Sequence, residues 1–471
     1  MSTKTVTIAS ETSSAFRRTP PGPRGLPVVG SLPQFRRDPL SFFQGLQRSY
    51  GDIVTVTMMG VQVTLFMRPE YTYYFLVEGA HGFDSGSQRE IMKRFLGEAL
   101  LTTDGETHRR QRRLVQPAFH KKRVEGYAEI MTGQTGRMLD AWRPNAELDI
   151  ARELQELTLR IIVKALFDLD LQTRSHALSQ LFTDVIENQR PGLVNRGLPP
   201  APFGGEAKGM AARGKLDEFV YELIAQRRAD GRDRGDVLSM LLEARDEDGS
   251  AMDDRQIRDQ TMTLIAAGHE TTSNALSWTF HLLSQNPRVY ERLLAELRDT
   301  LGARTPTVDD LPRLPYLDSV ITESLRVYPP AWTVNRFARE PFELGGYRFP
   351  AGTRAIIPQW VVHHLPEVWG DPESFRPERW TPEFRQSLPR GAYFPFGMGP
   401  RICIGMPLAE MEMRLVLATI LLRYTPRVLP GWPVQPFPRI TLRLKHGLRV
   451  RLEPADQFAR HPSRGEERPA I

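Results

Sequence analysis

From about residue 106 to 326, apolar residues recur mainly at three- and four-residue intervals, as in helices that bury one face. Elsewhere the period changes. Val54, Val56, Val61, Val63 and Leu65 alternate enough within Ile53–Met67 to predict a hairpin around Gly60. Leu344–Ile357 predicts short strands around Gly345-Gly346 and Ala351-Gly352. Pro20-Pro21-Gly22-Pro23-Arg24-Gly25-Leu26-Pro27 predicts a stiff, extended leading segment. The stretch 366–400 is rich in Pro and Gly but too aromatic for a disordered linker. No internal repeat or low-complexity linker divides the chain. The expectation is a mainly α fold with a small β region (α+β): a disordered N-terminal tail over 1–19, one domain over 20–453, and a polar C-terminal tail over 454–471.

Two helices stand out. Asp253 and Gln256 make a capping box, and Asn286-Pro287 would stop the helix near Gln285. That is about 32 residues, or roughly 48 Å at 1.5 Å each. Its middle, Leu264–Ala267, is apolar on every side, so this helix should cross the core. There the chain places Ala267-Gly268-His269-Glu270-Thr271-Thr272. Ala267 and Gly268 remove bulk, so something flat could lie against the helix. Thr271 can bond back to the Ala267 carbonyl and bend it. A carboxylate such as Glu270 is costly in an apolar core unless partnered or useful. A packed helix with a small-residue contact and a solvent-facing Glu270 fits this hexapeptide equally well. His269 is unassigned, facing solvent or a structural partner.

The second helix runs from Pro407 to Tyr424, with Ala409, Met413, Val416, Leu417, Ile420 and Leu421 at helical spacing. It follows the only cysteine in 471 residues, within Phe396-Gly397-Met398-Gly399-Pro400-Arg401-Ile402-Cys403-Ile404-Gly405. A lone cysteine forms no internal disulfide. Cys403 lies at or just before a helix N-terminus, where partial positive charge favours thiolate, and Arg401 adds a cation. Gly399 and Gly405 permit unusual backbone angles or close approach. One sulfur with a flat approach suits haem better than zinc, which normally takes four ligands. By itself a lone cysteine is more often a small apolar core residue.

The pattern F-x-x-G-x-R-x-C-x-G resembles the haem-ligand loop of the cytochrome P450 family, and A-G-x-E-T-T resembles that family's oxygen-activating segment. Glu323-Ser324-Leu325-Arg326 resembles its E-x-x-R motif, and Pro377-Glu378-Arg379-Trp380 its later arginine loop, with Trp where Phe is more usual. The resemblance covers nearly the whole chain. It implies haem b (iron protoporphyrin IX) with Cys403 as axial iron ligand, and Ala267, Gly268, Phe396 and Gly405 at the cofactor. His108 (where Trp is frequent), Arg112, Arg336 and Arg401 would hold the propionates. Thr271 would hydrogen-bond dioxygen and Glu270 would help deliver protons. Glu323, Arg326 and Arg379 would form a buried network, although periodicity alone reads that face as exposed, opposite Leu317, Val320, Ile321 and Ser324.

The resemblance further implies a monooxygenase that takes electrons from NAD(P)H through a ferredoxin or flavodoxin and its reductase. Its pocket would draw on Phe83, Ile91, Phe95, Leu96, Leu193, Leu198, Phe203, Ala331 and Val334. An apolar substrate of moderate size is expected, such as a terpenoid, steroid, fatty acid or polyketide. Two rivals stay open. A peroxide-driven enzyme of the same fold usually lacks the Glu270-Thr271 type of pair, and a haem sensor has no need of it.

Composition adds limits. There are 62 basic and 56 acidic residues, net +6, with 40% hydrophobic and 25% charged. That balance is mild for the size and gives no case for nucleic acid. The basic run His108-Arg109-Arg110-Gln111-Arg112-Arg113, with Lys121-Lys122-Arg123 after it, is ordinarily a solvated face. By the resemblance, Arg109, Arg110 and Arg113 could instead dock an acidic electron-transfer protein. No run of about 18 apolar residues predicts a membrane span, and the first eighteen residues are polar without a secretory core. The expectation is a cytoplasmic monomer without its own flavin or iron–sulfur extension.

Overall fold

The Asp253 carboxylate accepts from the Gln256 N–H at 2.7 Å, and the Gln256 side chain accepts from the Asp253 N–H at 3.0 Å. This reciprocal cap satisfies two donors that a helix start otherwise leaves unpaired. The helix it opens, Asp254–Gln285, spans 32 residues and ends at Asn286 before Pro287. We describe it from a computed structural model covering residues 19–85, 87–188, 205–245 and 249–455. The expected tails up to residue 18 and from residue 456 lie outside the described residues, as do Leu193, Leu198 and Phe203.

The central helix is buried along most of its length and packs closely on the helix Ile150–Phe167. A Cβ on Gly268 would sit 2.7 Å from the Ile162 side chain. The missing side chain at 268 therefore lets two helices approach rather than leaving open space, while Ala267 beside it is exposed. The helix after the cysteine, Met406–Arg423, buries Leu408, Met411, Leu415, Val416, Leu417, Ile420 and Leu421 in the same helical core. Each such side chain contributes roughly 1.5–3 kcal/mol by leaving water.

The β portion sits to one side. Ile53–Met58 and Val61–Phe66 form the expected hairpin through Met59-Gly60, both at positive φ (51° and 75°). That geometry matches the right-handed twist of the strands it joins. Strands Ile53–Met58, Val61–Phe66, Arg354–Ile357, Val334–Ala338 and Phe83–Asp84 follow one another in a five-stranded sheet. A second apolar cluster packs against it and includes Phe43, Phe66, Phe75, Phe83, Trp332, Trp369, Trp380 and Phe394. Trp278 of the central helix belongs to this cluster, stacks on Tyr328 at 3.9 Å, and donates to the Leu442 carbonyl at 3.0 Å. One helix thus links both cores. Among the described residues no helix is long and apolar enough to cross a membrane.

Candidate functional site

The cysteine loop is closed by the Cys403 N–H donating to the Phe396 carbonyl at 2.8 Å. Gly397 and Gly399 adopt φ of +70° and +65°. A Cβ at Gly399 would lie 1.9 Å from the Leu76 carbonyl oxygen, so glycine is required there on both counts. Gly405 differs: its φ is −84°, and a Cβ would meet Cys403 Sγ and Phe119 at an ordinary 3.9 Å.

The thiol itself is exposed, yet its ionisation is governed by burial. Desolvation raises the thiol pKa. The backbone N–H groups of Gly405 and Met406 and the charge of Arg112 oppose that rise without reversing it. This corrects the expectation that helix N-terminus and Arg401 would by themselves favour thiolate. Burial is the largest effect, and the nearby cation is Arg112, whose Nη1 donates to the Ile402 carbonyl at 2.8 Å.

The structure gathers the four expected basic residues close enough to act on one another. His108 is buried, and its pKa falls to about 4 because of desolvation first, then the charges of Arg401 and Arg112. Arg336 is pushed down to about 10 by desolvation, with Arg401 adding repulsion. Its Nη1 donates to the carbonyl of its own neighbour Asn335 at 2.9 Å. Arg401 reaches the Asp104 carboxylate and the Thr103 carbonyl. Asp104, which sequence reasoning passed over, is the one carboxylate acting on both His108 and Arg336. Three guanidiniums against one acid leave positive charge for which a ligand with two carboxylates is a fitting partner.

On the central helix, Ala267 is exposed between the half-buried Ala266 and Gly268, and Thr271 is half-open with its hydroxyl donating to the Ala267 carbonyl at 2.7 Å. Glu270 is 4% exposed and turned elsewhere. Its Oε1 accepts from Arg443 Nε at 2.7 Å and from the Thr441 hydroxyl. The alternative of a solvent-facing Glu270 is therefore excluded. Thr441 and Arg443 were missed from sequence; Thr441 immediately precedes the short strand Leu442–Leu444 that carries Arg443, and the usable signal was their spacing of two, which turns both side chains the same way in extended chain. His269 is fully buried, with Nδ1 at 2.8 Å from the Ile265 carbonyl and its ring 4.8 Å from Phe182, so it does not face solvent.

The E-x-x-R face is not exposed either. Glu323 and Arg326 have fully buried side chains, and that of Arg379 is 1% exposed. Glu323 accepts from Arg326 Nε and Nη2, Arg379 Nε, the Arg376 N–H and Trp380 Nε1, all at 2.8–3.1 Å. The Trp departure thus supplies a donor that Phe lacks. Arg326 also donates to the His363 carbonyl, and His363 Nδ1 lies 3.2 Å from the Arg326 carbonyl. His363 Nε2 accepts from the Phe394 N–H at 3.2 Å, two residues before the cysteine loop. These partners assign an Nδ1–H tautomer, and burial, which drives the His363 pKa well down, keeps it neutral. The charged knot is therefore tied to the cysteine loop through one imidazole.

The expected pocket residues divide. Ala331 is exposed and Val334 half-buried, whereas Phe95 and Leu96 are buried. Phe83 lies within an aromatic cluster, 4.7 Å from Phe75 and 5.1 Å from Phe342. Only the backbone of Ile91 is described.

The haem implied by the resemblance fits the residues present. A lone exposed sulfur follows the glycine-bearing loop, the central helix leaves Ala267 open midway along its length, and the charge of Arg112 acts on the sulfur. Comparison with known proteins agrees. Residues 20–448 match the family model described as Cytochrome P450. Cyclooctatin synthase of Streptomyces melanosporofaciens is 38% identical over 89% of this chain and 92% of its own. Cyclooctat-9-en-7-ol 5-monooxygenase of the same organism is 36% identical over 87% and 90%. Pentalenene oxygenase of Streptomyces avermitilis is 33% identical over 91% and 96%. The solved structure titled "Retinoic acid bound cyanobacterial CYP120A1" superposes with a TM-score of 0.85 at 29% identity, covering 93% of this chain and 99% of that one.

Proposed function

Because this chain belongs to the cytochrome P450 family and is a haem b monooxygenase by class, we propose that it oxidises a terpenoid of low polarity. It would do so with electrons passed from NAD(P)H through a ferredoxin or flavodoxin and its reductase. The observation that carries the substrate class is the similarity, along nearly the full chain, to oxygenases named for cyclooctat-9-en-7-ol and pentalenene. Those names denote an unsaturated alcohol and an unsaturated hydrocarbon. The open Ala267 and Ala331 and the half-buried Val334, all uncharged, suit such ligands.

When bound, haem b supplies the activation of dioxygen and the insertion of one of its atoms. The chain supplies the rest. Cys403 would supply the sulfur that binds the haem iron. Arg112, Arg336 and Arg401 would hold the cofactor's carboxylates, and neutral His108 would add a ring N–H donor. Thr271 keeps its hydroxyl at the open helix face, where it can pass a hydrogen bond onward. Glu270 can relay a proton behind it, and the enclosing apolar side chains keep bulk water from the reacting atoms.

The test is direct. Holoenzyme titrated with cyclic terpenes, steroids and fatty acids should show the spectral shift of lost axial water with terpenes. It should then give a singly oxygenated product with surrogate ferredoxin, reductase and NADPH. Shifts and products confined to fatty acids or steroids would refute the substrate class, and turnover with peroxide alone, but never with ferredoxin, would refute the electron route.

For docking we favour the outer face of the helix Gly105–Val115. Arg109 and Arg113 are exposed there; Arg110 is half-buried and donates to Ser250 at 3.4 Å. Arg109→Glu with Arg113→Glu is expected to slow first-electron transfer about tenfold at low salt, with the difference fading as salt rises. Equal rates at every ionic strength would remove this face from consideration.

A further inference from the structure

Glu270 is held asymmetrically. Both of its described hydrogen bonds end on Oε1, from Arg443 Nε and the Thr441 hydroxyl, and none of the described contacts uses Oε2. Thr441 is itself fixed by Asn274 Nδ2 at 3.1 Å, from the turn of the central helix that follows Glu270. Arg443 is anchored from outside, its Nη1 lying 3.5 Å from the half-exposed carboxylate of Glu187, while its Nη2 is buried without a partner. His269, the remaining titratable neighbour, is buried and turned to the Ile265 carbonyl. Adjacent helical residues point about 100° apart. Glu270 therefore does not share the open face of Thr271 unless something sets its carboxylate at the edge between them.

We propose that Thr441 and Arg443 are positioning residues for Glu270: they grip Oε1 and so present Oε2 as the oxygen that takes up and releases the proton. The balance is simple. One proton arrives on Oε2 from the solvent side, where Glu187 marks the surface, and the same proton leaves Oε2 towards Thr271. Arg443 keeps its five N–H bonds and its charge throughout. The proposal rests on the monooxygenase reading of the site and adds two residues from a distant segment, Thr441 just before and Arg443 within the strand Leu442–Leu444, to its proton path.

Two readouts test it. Without turnover, unfolding midpoints of Arg443→Gln, Glu270→Gln and the double variant form a cycle, in which the loss from Arg443→Gln should shrink once Glu270 is already neutral. During turnover with surrogate ferredoxin, product per reductant should fall about tenfold in Arg443→Gln, part of the roughly 10²–10⁴ that a positioned proton carrier contributes. The solvent isotope effect should grow, haem content should stay unchanged, and Arg443→Lys should restore part of the loss. Thr441→Val, a milder change, should shift the same ratios in the same direction. An additive cycle, or parental coupling and isotope effect in both Arg443→Gln and Thr441→Val, overturns the assignment. If the parent oxidises no terpene, the substrate reading falls, and the unfolding cycle still decides this one.

Discussion

Glu323→Ala is expected to destabilise the protein by about 3–5 kcal/mol, because it strands two buried guanidiniums around an empty acceptor site. Five donors converge on that carboxylate, and Arg326 and Arg379 are essentially without solvent. Whole-protein stabilities are only about 5–15 kcal/mol, so most of the margin disappears. The damage should also travel. Arg326 holds His363 at two points, and His363 Nε2 holds the Phe394 N–H that leads into the cysteine loop. The variant should therefore recover little haem even where it remains soluble. Denaturant unfolding and the ratio of haem to protein absorbance measure both effects. Glu323→Gln should fall between, since it keeps acceptor capacity but loses charge. An alanine variant with the parent's midpoint and haem content would show that the network is ornamental.

Thr271→Ala should do the reverse: large harm to the reaction, little to the fold. Its hydroxyl donates back to the Ala267 carbonyl at 2.7 Å, a local bond that bends a helix more than it stabilises one. Haem content and unfolding midpoint should stay near parental. Product per reductant consumed should fall by about a hundredfold, the low end for a lost proton-transfer group. Reductant consumption should continue, with hydrogen peroxide as the electron sink. Measuring NADPH, peroxide and product together gives the partition directly. Full coupling in this variant would place proton transfer elsewhere.

These cases also mark what could be read from the residues alone. The central helix was legible to its ends, because Asp253, Gln256 and Asn286-Pro287 are local signals. The E-x-x-R face was not: periodicity pointed it outward, since its partners lie some fifty residues further along and local spacing cannot reveal them. Gly268 was legible as a place without bulk, but not which neighbour needed the room; Ile162 comes from a helix a hundred residues earlier. The cysteine was legible as special by its setting. Its acidity was not, because desolvation depends on how closely distant segments pack around it. Thr441 and Arg443 carried a strand-face signal too short to stand out, and only packing against Glu270 gave it meaning.

The single thiol has a practical consequence for anyone working with the protein. With Cys403 as the only sulfhydryl in the chain, a maleimide or bimane count on denatured protein must come to one. On native material the count reports directly how much of the preparation has that sulfur shielded. A cysteine introduced on the outer face of the helix Gly105–Val115 would then be the sole fast-reacting handle on cofactor-loaded enzyme. Dyes, spin labels or cross-linkers could be placed against a redox partner without first removing background cysteines.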